Sequence, residues 1–239
     1  TVRRQIGTAV LAVFGFGAVA SAQPVAEAAR TADWAAVRAL VEQGADVTAP
    51  QGDGTTALHW AGYWDEGDMA ALLLDAGADA NATTDLGGTP LWTACENGSA
   101  QMTRILLEVG ADPNAALLSG ETLLMTATHS GSAAVIEQLL AAGADVNTAE
   151  QGRGQTALMW AVAQRHPDVV EALLAHQPDV HARSDVRTEV VKTSPEPWNP
   201  DYIIDLPQGG YTPLLFAARN GDIQMAETLI AAGVDVNAT

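Results

Sequence analysis

Pairs of adjacent hydrophobic residues recur along this chain at a nearly constant interval. The pairs are Leu40-Val41, Leu73-Leu74, Leu106-Leu107, Leu139-Leu140, Leu173-Leu174 and Leu229-Ile230. A Gly-Ala-Asp triplet follows each of the first four, and its glycines (Gly44, Gly77, Gly110 and Gly143) are 33 residues apart. A fixed interval of this size is typical of a solenoid, in which one supersecondary unit is repeated and stacked.

Each repeat predicts two short helices. The first begins after a threonine whose hydroxyl can cap its first turn, and these residues are Thr56, Thr89, Thr122, Thr156 and Thr212. The leucine two places after each threonine is predicted to face the core, and the alanine five places after it to let helices approach closely. The second helix carries the hydrophobic pair and ends at the glycine of the triplet. Another glycine, two places before each threonine, predicts a turn with positive φ.

The threonine segments and the ends of the second helices carry a family resemblance. They read Thr56-Ala57-Leu58-His59, Thr89-Pro90-Leu91-Trp92 and Thr212-Pro213-Leu214-Leu215, with GAD-x-N-A endings at 77–82, 110–115 and, with Thr148 for the last Ala, from 143. On these residues, the chain from about residue 24 to 239 resembles the ankyrin repeat family. The resemblance implies an all-α solenoid of about six helix-pair repeats with β-turn fingers. It also implies a role in protein recognition without catalysis.

Two stretches depart from the regular repeat. Residues 24–50 predict a helix pair with no finger before it, which suits an N-terminal capping repeat. From Gln177 to Thr212 is 35 residues, against 12 from Gly110 to Thr122, so an insertion of 23 residues is expected at about 183–209. Its prolines exclude a continuous helix and favour an extended or irregular segment. Two interpretations stay open, a binding arm and a loop packed on one edge of a repeat.

Residues 1–22 have the three parts of a secretory signal peptide. Arg3-Arg4 is followed by an apolar run over residues 6–20 and by Ala20-Ser21-Ala22, which predicts cleavage after Ala22. The run is too short for a bilayer-spanning helix, which needs about 20 apolar residues. We therefore expect an exported protein of bacterial type, periplasmic or extracellular, with its ankyrin repeat domain at 23–239. The last helix has an interior pattern, so the sequence is expected to be cut short at its C-terminus.

The charge of the chain narrows the class of partner. Its formal net charge is −18, and a surface this acidic repels the phosphates of nucleic acids and anionic membranes. The expected partner is another protein, basic in character, with no nucleic acid and no membrane span after signal cleavage. A monomer is expected.

Residues that could perform chemistry show no recognisable arrangement. The five histidines lack metal-ligand spacing, and neither a P-loop nor a nucleophile motif is present. Cys95 is the only cysteine and is expected to be buried as a small hydrophobe. No catalytic residue, cofactor or metal is therefore predicted. An alternative is the N-terminal recognition part of a larger exported enzyme or haem-containing redox protein, whose catalytic motif would lie beyond Thr239. A structural spacer is a third possibility.

The resemblance implies that the fingers and the ends of the first helices face a concave groove. Tyr63 and Trp64 end one first helix there, and exposed aromatics of this kind are enriched at binding hot spots. The periodic aromatics Trp60, Trp160 and Phe216 are instead expected to fill space between first helices. The predicted protein-binding residues are Asp53, Thr55, Tyr63, Trp64, Leu86, Glu96, Asn97, Leu118, Glu121, His129, Arg153, Gln155, Gln164, Trp198, Tyr202, Tyr211 and Arg219.

Overall fold

The computed structural model describes residues 23–192 and 203–237, and of residues 189–192 and 203–207 it describes the backbone alone. The predicted signal peptide and two predicted binding residues, Trp198 and Tyr202, lie outside the described residues. The helices are α1 (Pro24–Arg30), α2 (Trp34–Glu42), α3 (Ala57–Tyr63), α4 (Gly67–Asp75), α5 (Pro90–Asn97), α6 (Ala100–Glu108), α7 (Leu123–Ser130), α8 (Ala133–Ala141), α9 (Ala157–Gln164), α10 (Pro167–Leu174), α11 (Pro213–Arg219) and α12 (Ile223–Ala231). The strands are β1 (Arg187–Lys192) and β2 (Ile203–Gln208).

The helices stack in two rows. Within a pair, the first helix packs against the second, as α3 does on α4 and α5 on α6. The first helices α1, α3, α5, α7, α9 and α11 pack on one another in order and form an inner row, whereas α2, α4, α6, α8 and α10 form an outer row. The all-α solenoid is confirmed, and α1 and α2 form the first helix pair of the described residues.

The predicted cap hydrogen bond forms at four of the five threonines, whereas at Thr56 the His59 ring accepts the backbone N–H of Thr56. The Thr89 hydroxyl accepts the backbone N–H of Trp92 at 3.1 Å, and Thr122, Thr156 and Thr212 accept from the third residue of their helices in the same way. The four triplet glycines adopt left-handed φ values between 75° and 96°, which close the second helices. Gln177 stands where the next such glycine is expected and also takes a left-handed conformation, with φ of 53°. The backbone of the repeat is therefore kept even where its preferred residue is missing.

The core runs continuously along the space between the two rows. Leu58, Leu91, Leu124 and Leu158 are at most 1% exposed, and the alanines five places after each threonine are 0% exposed. Leu214, the equivalent residue of α11, is only half-buried. The next residue, Leu215, is 41% exposed, although its equivalents Met125 and Met159 are 0% exposed. Within the described residues, nothing covers the face of α11 that the earlier repeats bury against a neighbour.

The fingers are turns linked to one another by backbone hydrogen bonds. The Gln51 N–H donates to the Thr55 carbonyl at 2.7 Å, and the same bond closes the turns at 84–88, 117–121 and 150–155. Between neighbouring fingers, the Asp85 N–H donates to Asp53 O at 2.9 Å, and the Leu118 N–H to Leu86 O at 3.0 Å. The fingers therefore form one continuous ladder beside the inner row.

The insertion opens the last of these turns. The Ser184 N–H still donates to the Tyr211 carbonyl at 3.1 Å, which is the closing bond of the other fingers. Between these residues, β1 and β2 pair antiparallel from Arg187 opposite Gln208 to Lys192 opposite Ile203. The strands contain adjacent Val and Ile residues, which favour extended backbone. The prediction of an extended segment is confirmed for these strands, and this hairpin is the exception to an otherwise all-α fold in the described residues.

Candidate protein-binding surface

The predicted binding residues lie on one surface, which we call the inner surface: the fingers together with the exposed sides and ends of the inner-row helices. None of those that the structure describes is buried. Ten are exposed, namely Asp53, Tyr63, Trp64, Leu86, Glu96, Asn97, Leu118, His129, Arg153 and Arg219. Five are half-buried, namely Thr55, Glu121, Gln155, Gln164 and Tyr211.

Aromatic side chains cluster at the N-terminal end of the inner surface. Tyr63 is 54% exposed and Trp64 45% exposed, at the end of α3. The Tyr63 ring meets Trp60 edge to face at 5.7 Å between centroids and meets Trp64 at 5.1 Å. Such contacts restrain the rings, so this apolar area is held in place before any partner arrives.

A cavity of about 220 Å³ adjoins this cluster, between the fingers and helices of two neighbouring repeats. It is lined by Thr55, His59, Trp60, Tyr63, Thr84, Gly88, Trp92 and Thr93. Trp60 is half-buried, and its Nε1–H donates to Gln51 Oε1 at 2.9 Å, which fixes the indole at the cavity wall. Sequence reasoning missed Trp60, Trp92 and Thr93 as part of this surface. Trp60 fills space, as its periodicity predicts, but one side of it also faces the cavity.

Three of the predicted polar residues hold the surface together. The Asn97 amide donates to the carbonyls of Gly62 and Tyr63 at 2.9 and 3.0 Å, which ties the end of α5 to the end of α3. Gln164 donates to the Thr128 hydroxyl at 3.3 Å, and Glu121 accepts from Thr126 at 2.9 Å. Asn97 therefore fixes the backbone that carries Tyr63, whether or not it also touches a partner.

A second cavity, of about 320 Å³, lies at the C-terminal end of the inner surface. It brings together four predicted residues from different elements, Arg153, Gln155, Tyr211 and Arg219, and adds Ser184, Asp185, Arg187, Gln208, Gly209 and Phe216. The Arg219 guanidinium lies over the Tyr211 ring, 5.8 Å from its centroid. Sequence reasoning missed Arg187 and Asp185, because the sequence places the base of the insertion along the chain but does not indicate which residues it lies against.

His59 joins two neighbouring repeats at the floor of the aromatic end. Its Nδ1 accepts the backbone N–H of Thr56 at 3.1 Å, and its Nε2 lies 3.0 Å from the Gly88 carbonyl of the next finger. Both bonds form when the proton is on Nε2 and the ring is neutral. Burial lowers the pKa of His59 below its ordinary value, more than the Gly88 carbonyl and the charge of Asp53 raise it.

Acid is therefore expected to weaken the fold through His59. Because the folded pKa is depressed, the stability this residue contributes is complete above about pH 6.5 and falls as pH drops below that value, by at most about 1.4 kcal/mol per pH unit. His59→Met, which copies Met125 and Met159, should cost about 1–3 kcal/mol near pH 8 through the lost hydrogen bonds. Urea unfolding near pH 8 and near pH 5.5 should show this difference from wild type shrinking in acid.

The control for this prediction is His181→Met, which removes an exposed histidine far from the two repeats. A difference between wild type and His59→Met that stays constant over the same pH range would contradict a neutral buried imidazole.

Among the described residues, no three His, Cys, Asp or Glu side chains lie close enough together to hold a metal ion. Cys95 is 0% exposed, as predicted, and burial raises the pKa of its thiol, so it is protonated at neutral pH. Of the helices described, none is long and apolar enough to cross a membrane.

Comparison with known proteins supports the repeat pattern over its full length. The model of a family described as ankyrin repeats in three copies matches residues 20–84, 68–150, 110–184 and 149–239, which together run without a gap. No curated protein matches the chain.

Proposed function

The chain belongs to the ankyrin repeat family, and from this we propose that it is a non-catalytic protein-binding module that holds a partner against its inner surface. Ankyrin repeats indicate a protein-interaction module, and the family is typically non-catalytic. We further propose that the protein acts as a monomer, with one partner segment lying along fingers and helix ends.

The observation that carries this proposal is the aromatic end of the inner surface. Two adjacent large aromatics are about half exposed, and a cavity of about 220 Å³ opens beside them. Exposed apolar area rimmed by polar groups marks interaction sites in soluble proteins. The cavity has room for one apolar side chain of a partner, with Tyr63 at its wall and Trp64 packed against Tyr63.

The charge around the aromatic end suits a basic partner. Asp53 and Glu96 lie on the two repeats that form it, whereas Arg38 and Arg104 are the only Lys or Arg residues between 31 and 152 and both lie on outer-row helices. Complementary charge of this kind raises association rates and selects partners more than it adds affinity. A segment with Lys or Arg beside an apolar residue fits this part of the surface, and a nucleic acid does not.

Selection of random peptides on the immobilised protein tests the proposal. Enriched peptides should contain an aromatic or large aliphatic residue next to Lys or Arg, and their binding should weaken as salt is added. Enrichment of peptides that bind equally well after Tyr63 and Trp64 are replaced would place binding elsewhere and overturn the proposal.

Export is a separate proposal, supported by the basic, apolar and small-residue parts of residues 1–22. When the protein is expressed with this segment in a bacterium, the mature form in the periplasm or medium should begin at Gln23. N-terminal sequencing decides this: exported protein that still begins at Thr1 would contradict cleavage.

A further inference from the structure

Basic residues are unevenly distributed along this acidic chain. Of the 11 Lys and Arg residues, six lie between 153 and 219, namely Arg153, Arg165, Arg183, Arg187, Lys192 and Arg219. The aromatic end of the inner surface is bordered by carboxylates, so the two ends of this surface have opposite charge. A partner that matches one end does not match the other.

Three of these arginines meet in the cavity of about 320 Å³ at the C-terminal end, which we call the arginine cleft. Arg153 comes from the fourth finger, Arg187 from the first position of β1 and Arg219 from the end of α11. The hairpin extends from the last finger, and the Asp185 N–H donates to Arg153 O at 2.7 Å, which holds this finger beside the fourth one. The cleft forms between the base of the hairpin and the fourth finger.

The guanidinium groups of the cleft are free to bind a ligand. All three arginines are exposed, and within the described residues none of them forms an ion pair. Arg219 is held over the Tyr211 ring, which orients its positive charge without neutralising it.

Among the described residues, the nearby carboxylates of Glu150 and Asp185 form no ion pair with these arginines. Glu150 accepts the backbone N–H groups of Gly152, Arg153 and Gln155, so its oxygens close its own finger. The Asp185 carboxylate lies against the backbone of Gly154, where an added Cβ would be 2.6 Å from its Oδ1. Among the described residues, the cleft is lined by three cationic groups and one carboxylate, that of Asp185, with Glu150 beside Arg153 and Arg187 in an adjoining cavity.

Arginine presents its N–H groups as a planar fork that matches both oxygens of a carboxylate. A chain with a net charge of −18 repels a long polyanion. One or two carboxylates in a local cationic cleft are repelled much less, because salt screens the more distant negative charges. We infer that the arginine cleft binds an acidic segment of a protein partner through its Asp or Glu side chains. This inference rests on the proposed protein-binding function and adds a second, oppositely charged point of attachment.

The test uses residues 23–239 and a fluorescent hexaglutamate peptide, with hexaglutamine as the uncharged control and binding read by anisotropy. Hexaglutamate should bind with a salt-sensitive affinity, and Arg153→Gln with Arg219→Gln should weaken it about tenfold or more. Arg38→Gln with Arg104→Gln removes the same charge from the outer row and should change binding much less. Thermal melts check that both variants keep the fold.

The outcomes separate this inference from the proposed function. If hexaglutamate and hexaglutamine bound equally well, or if the two double arginine variants lost the same amount of affinity, the inference that the cleft binds carboxylates would be wrong. If polyphosphate bound more strongly than hexaglutamate, and this binding was lost in Arg153→Gln with Arg219→Gln, the cleft would be a phosphate site and the inferred acidic peptide ligand would be wrong. Replacing Tyr63 and Trp64 should leave hexaglutamate binding unchanged. A failure of the proposed binding at the aromatic end can therefore be told apart from a failure of the arginine cleft.

Discussion

Replacing both Tyr63 and Trp64 with alanine is expected to weaken binding of peptides selected on this protein by about thirtyfold or more, which corresponds to about 2 kcal/mol. Both rings are about half exposed at the aromatic end, and they are restrained by edge-to-face contacts. Little entropy is then lost when a partner binds, so truncation removes contact that was already organised.

The same double variant should keep its thermal stability almost unchanged, because both side chains are about half exposed. Ile223→Ala is the matched control: Ile223 is 74% exposed on α12, the second helix of the last pair, and its loss should not alter binding. Titration calorimetry gives the affinities and melting curves give the stabilities. If the double variant unfolded while its remaining folded fraction still bound at full strength, Tyr63 and Trp64 would be core residues.

Leu91→Ala is expected to cost about 3 kcal/mol of unfolding free energy, because it leaves a cavity in a site that is closed on all sides. Leu91 is 0% exposed at the centre of the stack, and its equivalents in α3, α7 and α9 are at most 1% exposed. Leu214→Ala makes the same change in α11, where the residue is half-buried, and should cost about 1 kcal/mol.

The difference follows from how a solenoid distributes its stability, as a sum over repeats and the interfaces between them. The α11–α12 pair has an interface on one side only within the described residues, so its amides should exchange faster than those of α5 to α7. Urea unfolding of both variants and amide exchange of the wild type check this. Equal costs at Leu91 and Leu214, or uniform protection, would show that the last pair is as well covered as the central ones.

The repeat architecture could be predicted because each local signal has a direct physical cause. Threonine at a helix start accepts an N–H that would otherwise lack a partner, and glycine closes a helix in a conformation that other residues adopt at a cost. Gln177 shows the limit of this reasoning, since it adopts the same conformation without being glycine. There the backbone keeps the hydrogen bond that the glycine makes in other repeats, from Gln177 N–H to Leu174 O at 3.1 Å, although the sequence signal is absent.

The candidate binding surface was predictable in its parts and not in its arrangement. Family register places Arg153 and Arg219 on the inner surface, but their common cavity depends on the path of the inserted segment. Arg187 enters that cavity through the pairing of β1 with β2, which depends on contacts between residues far apart in the sequence. The sequence predicts only a packing role for Trp60. Its periodicity indicates that the side chain is partly covered, but it does not indicate which side of the ring remains exposed to the cavity.

The hairpin has a further consequence for how such a chain can change. Its 23 additional residues enter between Ser184 and Tyr211 while the bond that closes the turn is kept, so the length of this segment is independent of the stack. Without residues 186–208, Ser184-Asp185 would join Gly209-Gly210-Tyr211, a turn as long as 51–55 with Gly210 in the place of Gly54. A finger tip is thus a position where new sequence can be added or removed without refolding its neighbours, which makes it a natural entry point for evolving, or grafting, a new specificity.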